Sequence, residues 1–98
     1  MKVLAMCGSM RFAQQMQELA YALETERGLC VLTCVCPPEG TIVADAAGER
    51  LAEAHRERIA RSDGIYVVNI GGYIGAAVRE EIRCAQAMGK EVLYHCEA

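Results

Sequence analysis

Residues 3–11 read VLAMCGSMR, an apolar run followed at once by Gly8 and Ser9. A continuous apolar run of this length indicates a strand that is buried on both faces, as in a parallel sheet. Apolar residues then recur at helical spacing from Phe12 until Gly28 supplies a stop. The first 28 residues therefore predict a strand, a glycine-containing loop and an amphipathic helix, which together begin an α/β fold.

The rest of the chain repeats this unit. Pro37 and Pro38 end the second strand because proline continues neither a strand nor a helix, and residues 39–48 are expected to form a surface segment. The further strands are predicted at residues 29–35, 65–70 and 91–96, and the further helices at residues 49–62 and 76–88. Apolar strands joined by helices predict a three-layer, doubly wound α/β fold of the flavodoxin-like or Rossmann-like kind. Its parallel sheet is expected to have four strands in the order 2-1-3-4.

Composition limits the classes of function. A chain of 98 residues, 53% hydrophobic and 23% charged, is enough for one domain, residues 1–98. A net charge of −3 argues against nucleic acid polymers as partners, because they require clustered lysine and arginine. The longest apolar runs are far shorter than a membrane span or the core of an export signal, so we expect no membrane association and a cytoplasmic location. A domain this small leaves part of an active-site wall to loops or a second subunit, so we expect a homo-oligomer, most simply a dimer.

Six cysteines and two histidines raise the question of a metal site. No two cysteines form a Cys-x-x-Cys pair, and His55 and His95 are not spaced as a ligand pair on one helix face. Cys34 and Cys36 alone would supply two thiols where zinc normally takes four ligands. The spacing therefore predicts reduced, buried cysteines, no metal and no cofactor.

Two loops are candidate ligand-binding segments. In an open parallel sheet, ligands bind beyond the carboxyl ends of the strands, where neighbouring crossovers leave in opposite directions, here between strands one and three. Backbone N–H groups at helix starts, the Ser9 hydroxyl and the Arg11 guanidinium suit an anionic or sugar ligand. The Tyr73 ring could stack on a base or instead pack over a neighbouring helix. The glycines in these loops could also serve only to turn strands into helices. The candidate residues are Gly8, Ser9, Arg11, Gly71, Gly72, Tyr73 and Gly75.

Two side chains are candidate catalytic groups. Helical periodicity places Glu81 at the edge of the apolar stripe of the third helix, whereas Glu80 faces solvent. A carboxylate at such an edge, beside the ligand loops, is a candidate nucleophile or base, or else an ion-pair partner of Arg79 or Arg83. His55 shares an apolar helix face, where a histidine is either a hydrogen-bonded residue at the edge of the core or a catalytic group.

Five short motifs occur in order along the chain. They are Met6-Cys7-Gly8-Ser9-Met10-Arg11, the helix end from His55 to Asp63, Tyr66-Val67-Val68-Asn69, Glu81-Ile82-x-x-Ala85, and Gly89-Lys90 before the last strand. In this order and spacing they resemble the nucleoside 2-deoxyribosyltransferase superfamily, which includes 2'-deoxynucleoside 5'-monophosphate N-glycosidases. The resemblance covers nearly the whole chain. It implies that Glu81 attacks the anomeric carbon of the sugar, and that the two loops together with Asn69 bind the sugar and any 5'-phosphate.

The resemblance also shows two departures at the site. The superfamily's aspartate that assists the leaving base corresponds to His55, and the first-strand tyrosine that orients the nucleophile corresponds to Ala5. Histidine can act as an acid near neutral pH, whereas alanine has no polar group. The resemblance therefore implies an N-glycosidase or deoxyribosyltransferase acting on 2'-deoxynucleosides or their 5'-monophosphates through Glu81 and His55. The alternative is a non-catalytic module that binds and senses nucleotides.

The loop Gly8-Ser9-Met10-Arg11 is also similar to the flavin-binding loop of flavodoxin-like FMN reductases. Those proteins follow the loop with serine and asparagine, where this chain has Phe12-Ala13-Gln14. An FMN-binding reductase is therefore a minor alternative, and a nucleoside or nucleotide is the expected small-molecule partner.

Overall fold

The computed structural model describes residues 1–96, in which four parallel strands form one sheet. The strand order is 2-1-3-4, and helices cover both faces of the sheet. The predicted three-layer α/β fold is therefore confirmed. The strands are β1 (Val3–Gly8), β2 (Cys30–Leu32), β3 (Gly64–Val68) and β4 (Glu91–Tyr94), and the helices are α1 (Ala13–Arg27), α2 (Asp45–Ala60) and α3 (Ala76–Ala87).

The core is divided by the sheet into two halves, because successive residues of a strand point to opposite faces. On the face under α1, Leu4 and Met6 of β1 pack with Tyr66 and Val68 of β3 and with apolar residues of the helix. On the other face, Ala5 and Cys7 pack under α2 and α3. The second half is completed by Ile59, Ile65, Val67, Val78 and Ala85.

Several boundaries differ from the sequence-based prediction. The edge strand β2 is confined to Cys30–Leu32 and pairs only with Val3–Ala5, so the predicted strand at residues 29–35 was too long. β4 likewise ends at Tyr94, and β3 spans Gly64–Val68, one residue earlier at its start and two earlier at its end than predicted. The helix predicted at residues 49–62 begins four residues earlier, at Asp45. Its N-cap makes no side-chain hydrogen bond, so this start carries no capping signal in the sequence.

Both central strands lead into tight turns at the same edge of the sheet. β1 is followed by the 3₁₀ turn Met10–Phe12, and β3 by the 3₁₀ turn Ile70–Gly72. Gly8 lies close enough to α1 and β3 that a Cβ atom there would be 2.7 Å from Met16 Sδ and 3.1 Å from Val68 Cβ, so a larger residue would require these side chains to shift. The chain then crosses to opposite faces of the sheet, which leaves an opening between the two turns.

The three helices contain 15, 16 and 12 residues. Among residues 1–96, none is both long and apolar enough to cross a membrane.

Candidate functional site

A cavity of about 540 Å³ opens at the carboxyl end of β1, beside the end of the loop that joins β3 to α3. Its wall is formed by the loop after β1, the start of α3, the middle of α2 and the segment between β2 and α2. The volume lies within the range of roughly 300–1,000 Å³ that is usual for small-molecule sites. Six of the predicted site residues line it, namely Gly8, Ser9, His55, Tyr73, Gly75 and Glu81.

Glu81 and Glu80 are neighbours in α3 with different surroundings. Glu81 is half-buried on the cavity wall, whereas Glu80 is exposed and forms an ion pair with Arg83. Within the part of the chain that the structure describes, Glu81 forms no ion pair. Arg83 is therefore not the ion-pair partner of Glu81 that the sequence allowed. Burial raises the pKa of the Glu81 carboxyl above its ordinary value, an effect that the neighbouring Cys7 thiol opposes.

His55 projects from α2 and is buried. Its Nε2 atom lies 3.5 Å from Cys7 Sγ and 4.0 Å from Cys34 Sγ, and its Nδ1 atom has no hydrogen-bond partner within residues 1–96. Burial and the charge of Arg58 lower the pKa of the imidazole below its ordinary value. The ring is therefore expected to be neutral near pH 7, a state suited to donating a hydrogen bond and less suited to the acid role that the resemblance implied.

Cys7 brings β1 into the site. A ring nitrogen of His55, Cys7 Sγ and a carboxylate oxygen of Glu81 all lie within 4.8 Å of one another. Burial and the nearby Glu81 raise the pKa of the Cys7 thiol, and burial raises the pKa of Cys34 to about 11. Ala5 is fully buried in the core. The contact from β1 to the candidate nucleophile is therefore made by Cys7, two residues further along the same face of the strand.

Arg11 and Tyr73 join the two loops to each other. The Arg11 guanidinium carbon lies 3.8 Å from the centre of the Tyr73 ring, in a cation–π contact. Phe12 packs edge-on against the same ring, with ring centres 6.1 Å apart. Tyr73 lines the cavity, whereas Arg11 lies outside its wall. The predicted binding of an anion by Arg11 stays a prediction, and in the structure its contact is with Tyr73.

The Asn69 side chain forms two hydrogen bonds with the backbone of Cys96. Its Nδ2 atom donates to the carbonyl oxygen of Cys96 at 2.9 Å, and the Cys96 N–H donates to Asn69 Oδ1 at 2.8 Å. Gly71 and Gly72 lie in the exposed 3₁₀ turn with φ angles of 65° and 79°, which glycine adopts readily. These three residues do not line the cavity, so their part in ligand binding stays a prediction.

Several residues of the cavity wall were not predicted from the sequence. Arg58 is half-buried there, one helical turn after His55, and this i+3 spacing on α2 was the available signal. The segment between β2 and α2 contributes apolar side chains that no periodicity marked. The missed apolar lining includes Val35, Pro37 and Val43.

Comparison with known proteins gives one informative match. No protein-family model and no curated protein matches the chain. Among solved structures, the chain is similar to the CMP N-glycosidase BcmB of Clostridium botulinum, with a TM-score of 0.61 and 21% sequence identity. The chain has the fold of this N-glycosidase. The match covers 95% of the present chain and 70% of that enzyme, so nearly all of the domain described above is shared.

Proposed function

We propose that the protein is an N-glycosidase of the nucleoside 2-deoxyribosyltransferase superfamily, cleaving the bond between base and sugar in a 2'-deoxynucleoside or its 5'-monophosphate. The observation that carries this proposal is the half-buried Glu81 carboxylate on the cavity wall, with no ion pair within residues 1–96. The resemblance places Glu81 at the position of the superfamily's nucleophile. The shared fold with an enzyme named for its action on CMP supports the proposal and makes cytidine nucleotides the first substrates to test.

The reaction would proceed in two displacements. A carboxylate oxygen of Glu81 attacks C1' of the sugar, and the C1'–N bond breaks with its electron pair going to the base, which takes up a proton. Water then attacks C1' of the glycosyl ester, and the Glu81 carboxylate leaves. The hydroxyl group of the water stays on the sugar, and the remaining proton of the water is released. The products are the free base and the pentose or its 5-phosphate. An acceptor base in place of water would give deoxyribosyl transfer.

The rest of the cavity wall offers contacts for the base and the 5'-phosphate of a nucleotide. The apolar side chains of Val35, Val43 and Leu51 provide a surface on which a base can pack. The Ser9 hydroxyl, the guanidinium of Arg58 and the N–H groups at the start of α3 provide hydrogen-bond donors and positive potential for a 5'-phosphate. His55 would offer its ring N–H to the leaving base as a hydrogen-bond donor.

A nucleotide-sensing module without catalysis is the second candidate. It is supported by the buried Ala5 at the position of the superfamily's orienting tyrosine, and by the lowered pKa of His55. Such a module would use the same cavity and bind the same ligands. The two candidates therefore differ in turnover and not in binding.

The deciding experiment is release of free base from a panel of nucleotides by the wild type and two matched variants. The panel contains CMP, dCMP and the other 2'-deoxynucleosides and 5'-monophosphates, and chromatography separates base from substrate. Glu81→Gln keeps the shape of the side chain and removes its charge, so we expect base release to be abolished and nucleotide binding to persist. Glu80→Gln changes an exposed carboxylate on the same helix, so its rate should stay within about twofold of the wild type.

Binding without cleavage of any member of the panel would favour the sensing module over the N-glycosidase. Equal rates for the wild type and Glu81→Gln would contradict Glu81 as nucleophile. A yellow protein with a flavin absorbance spectrum would instead support the FMN-binding alternative, since nucleosides leave the protein colourless.

We further propose that the protein is a homodimer. Apolar residues that line the cavity are exposed, among them Val35 and Val43, and the adjacent Ile42 is 95% exposed. A second subunit that covers them would also narrow the entrance for a nucleotide. Light scattering should give about twice 10.7 kDa, and a single species of 10.7 kDa at working concentration would contradict the proposal.

We propose a cytoplasmic location because the cysteines are not joined in disulfides. All six are free in the structure, which suits a reducing compartment. Thiol titration of freshly isolated, denatured protein should find six reactive groups, whereas fewer would indicate disulfides and a different compartment.

A further inference from the structure

Four metal-binding side chains converge at one end of the cavity. Cys7 Sγ, a ring nitrogen of His55 and a carboxylate oxygen of Glu81 lie within 4.8 Å of one another, and Cys34 Sγ is 4.0 Å from His55 Nε2. They come from β1, the segment after β2, α2 and α3. We propose that these four residues, Cys7, Cys34, His55 and Glu81, bind a zinc ion, and we refer to them as the zinc cluster.

The distance between Cys7 and His55 fits a tetrahedral ion. Zinc bonds of about 2.3 Å to sulfur and about 2.0 Å to nitrogen, at tetrahedral angles, hold a sulfur and a nitrogen roughly 3.5 Å apart. Cys7 Sγ and His55 Nε2 are separated by 3.5 Å. Cys34 Sγ is 4.0 Å from the same nitrogen and lies outside the group of three, so rotation of its side chain must bring it closer to complete the site.

The types of ligand select the metal. Two thiolates and an imidazole favour a borderline or soft ion such as Zn²⁺, whereas Mg²⁺ and Ca²⁺ require oxygen ligands. Two thiolates, one carboxylate and Zn²⁺ carry a net charge of −1. The half-buried guanidinium of Arg58 lines the same cavity and balances that charge.

The zinc cluster has few competing contacts. Cys7 Sγ is 4.0 Å from the Ala5 carbonyl oxygen, a long contact even for sulfur, and Glu81 makes no ion pair within residues 1–96. Zinc binding would therefore displace mainly the hydrogen bond from the Cys34 thiol to the Met6 carbonyl oxygen. Cys34, His55 and Glu81 all line the cavity, so the ion has an entry path.

Zinc binding has a consequence that rests on the proposed function. An ion held by the Glu81 carboxylate occupies the oxygen atoms that would attack C1' of the sugar. Zinc should therefore inhibit base release, and a chelator should restore it.

The test is titration of the purified chain with Zn²⁺ and with Co²⁺, a tetrahedral ion that absorbs light. The wild type should bind one ion per chain, and Co²⁺ should produce a thiolate-to-cobalt charge-transfer band in the near ultraviolet. Cys7→Ser and Cys34→Ser should each weaken zinc binding by more than ~100-fold, since even partners outside the ligand shell contribute about 10- to 100-fold. Cys36→Ser is the matched control, because Cys36 is exposed and lies outside the zinc cluster.

The outcomes separate this proposal from the proposed function. Zinc affinity that is equal in the wild type and Cys7→Ser, or the absence of a charge-transfer band in the wild type, would overturn the zinc cluster. If a cysteine variant does not fold, the cobalt spectrum of the wild type still decides. Zinc binding that depends on Cys7 and Cys34, without base release from any nucleotide, would support the zinc cluster and contradict the N-glycosidase. Base release that zinc does not inhibit would overturn zinc binding at Glu81 and leave the N-glycosidase standing.

Discussion

The two faces of the sheet are built from side chains of different size and polarity. The face under α1 is packed with large apolar residues, among them Leu4, Met6 and Val68. The face under α2 and α3 has the small residues Ala5, Cys7 and Ala85 in its core, and beside them lie the cavity, His55 and Glu81. The cavity that contains Glu81 therefore lies on the face to which β1 contributes its smaller side chains.

Met6 and Cys7 show how sharply the faces are separated. They are adjacent in β1 and both are fully buried, yet Met6 packs under α1 and Cys7 contacts His55. Alternation along a strand thus allows one strand to stabilise the fold on one face and to supply a polar group on the other. We expect stability to depend most on the face under α1, and chemistry to depend on the face under α2 and α3.

The largest expected loss of stability comes from truncation on the face under α1. Leu4→Ala removes a fully buried side chain from a well-packed layer, so it should lower the free energy of unfolding by about 2–5 kcal/mol. Chemical denaturation monitored by circular dichroism measures this. Nucleotide affinity of the folded fraction should not change, and a loss below about 1 kcal/mol would show that this face is not the principal stabilising one.

A smaller loss is expected at the sheet edge where the two faces meet. Asn69→Ala removes two hydrogen bonds to the backbone of Cys96, so it should cost about 1–3 kcal/mol. The same variant tests the ligand-binding role that the resemblance implied for Asn69. Unchanged stability together with a raised KM for base release would assign the amide to the substrate and not to the backbone of Cys96.

The smallest change in stability is expected on the cavity face. His55→Leu replaces a buried imidazole whose Nδ1 atom is unpaired within residues 1–96 by an apolar side chain of similar volume. Its free energy of unfolding should remain within about 1 kcal/mol of the wild type, because a buried unsatisfied polar group is removed as the packing is kept. Thermal unfolding in the presence of a chelator measures this, and a loss as large as that of Leu4→Ala would contradict the distinction between the faces.

The fold was predictable because its signals are local. Apolar runs such as residues 3–7 and 65–68 mark strands that are buried on both faces, and their alternation with helices leaves few possible topologies. The boundaries were less predictable where the stabilising contacts are distant. β2 ends at Leu32 because its pairing with β1 ends at Ala5, and Asp45 begins a helix without a side-chain cap.

The candidate site was predictable only in part, for the same reason. Periodicity within one helix separated Glu81 from Glu80, and the structure places the first in the cavity and the second in solvent. The contact between Cys7 and His55 joins residues 48 positions apart, so no spacing rule indicates it. The stacking of Arg11 on Tyr73 likewise depends on how two loops meet in the fold.

The central claim is that Glu81 forms a covalent bond to the sugar in the cavity between α2 and α3. The anomeric configuration of the product tests it most directly, with methanol added as acceptor so that the product cannot interconvert. Two displacements through Glu81 predict a methyl glycoside with the same configuration as the nucleotide substrate, as determined by nuclear magnetic resonance. A product with inverted configuration would contradict the claim, because the acceptor would then have attacked the sugar directly.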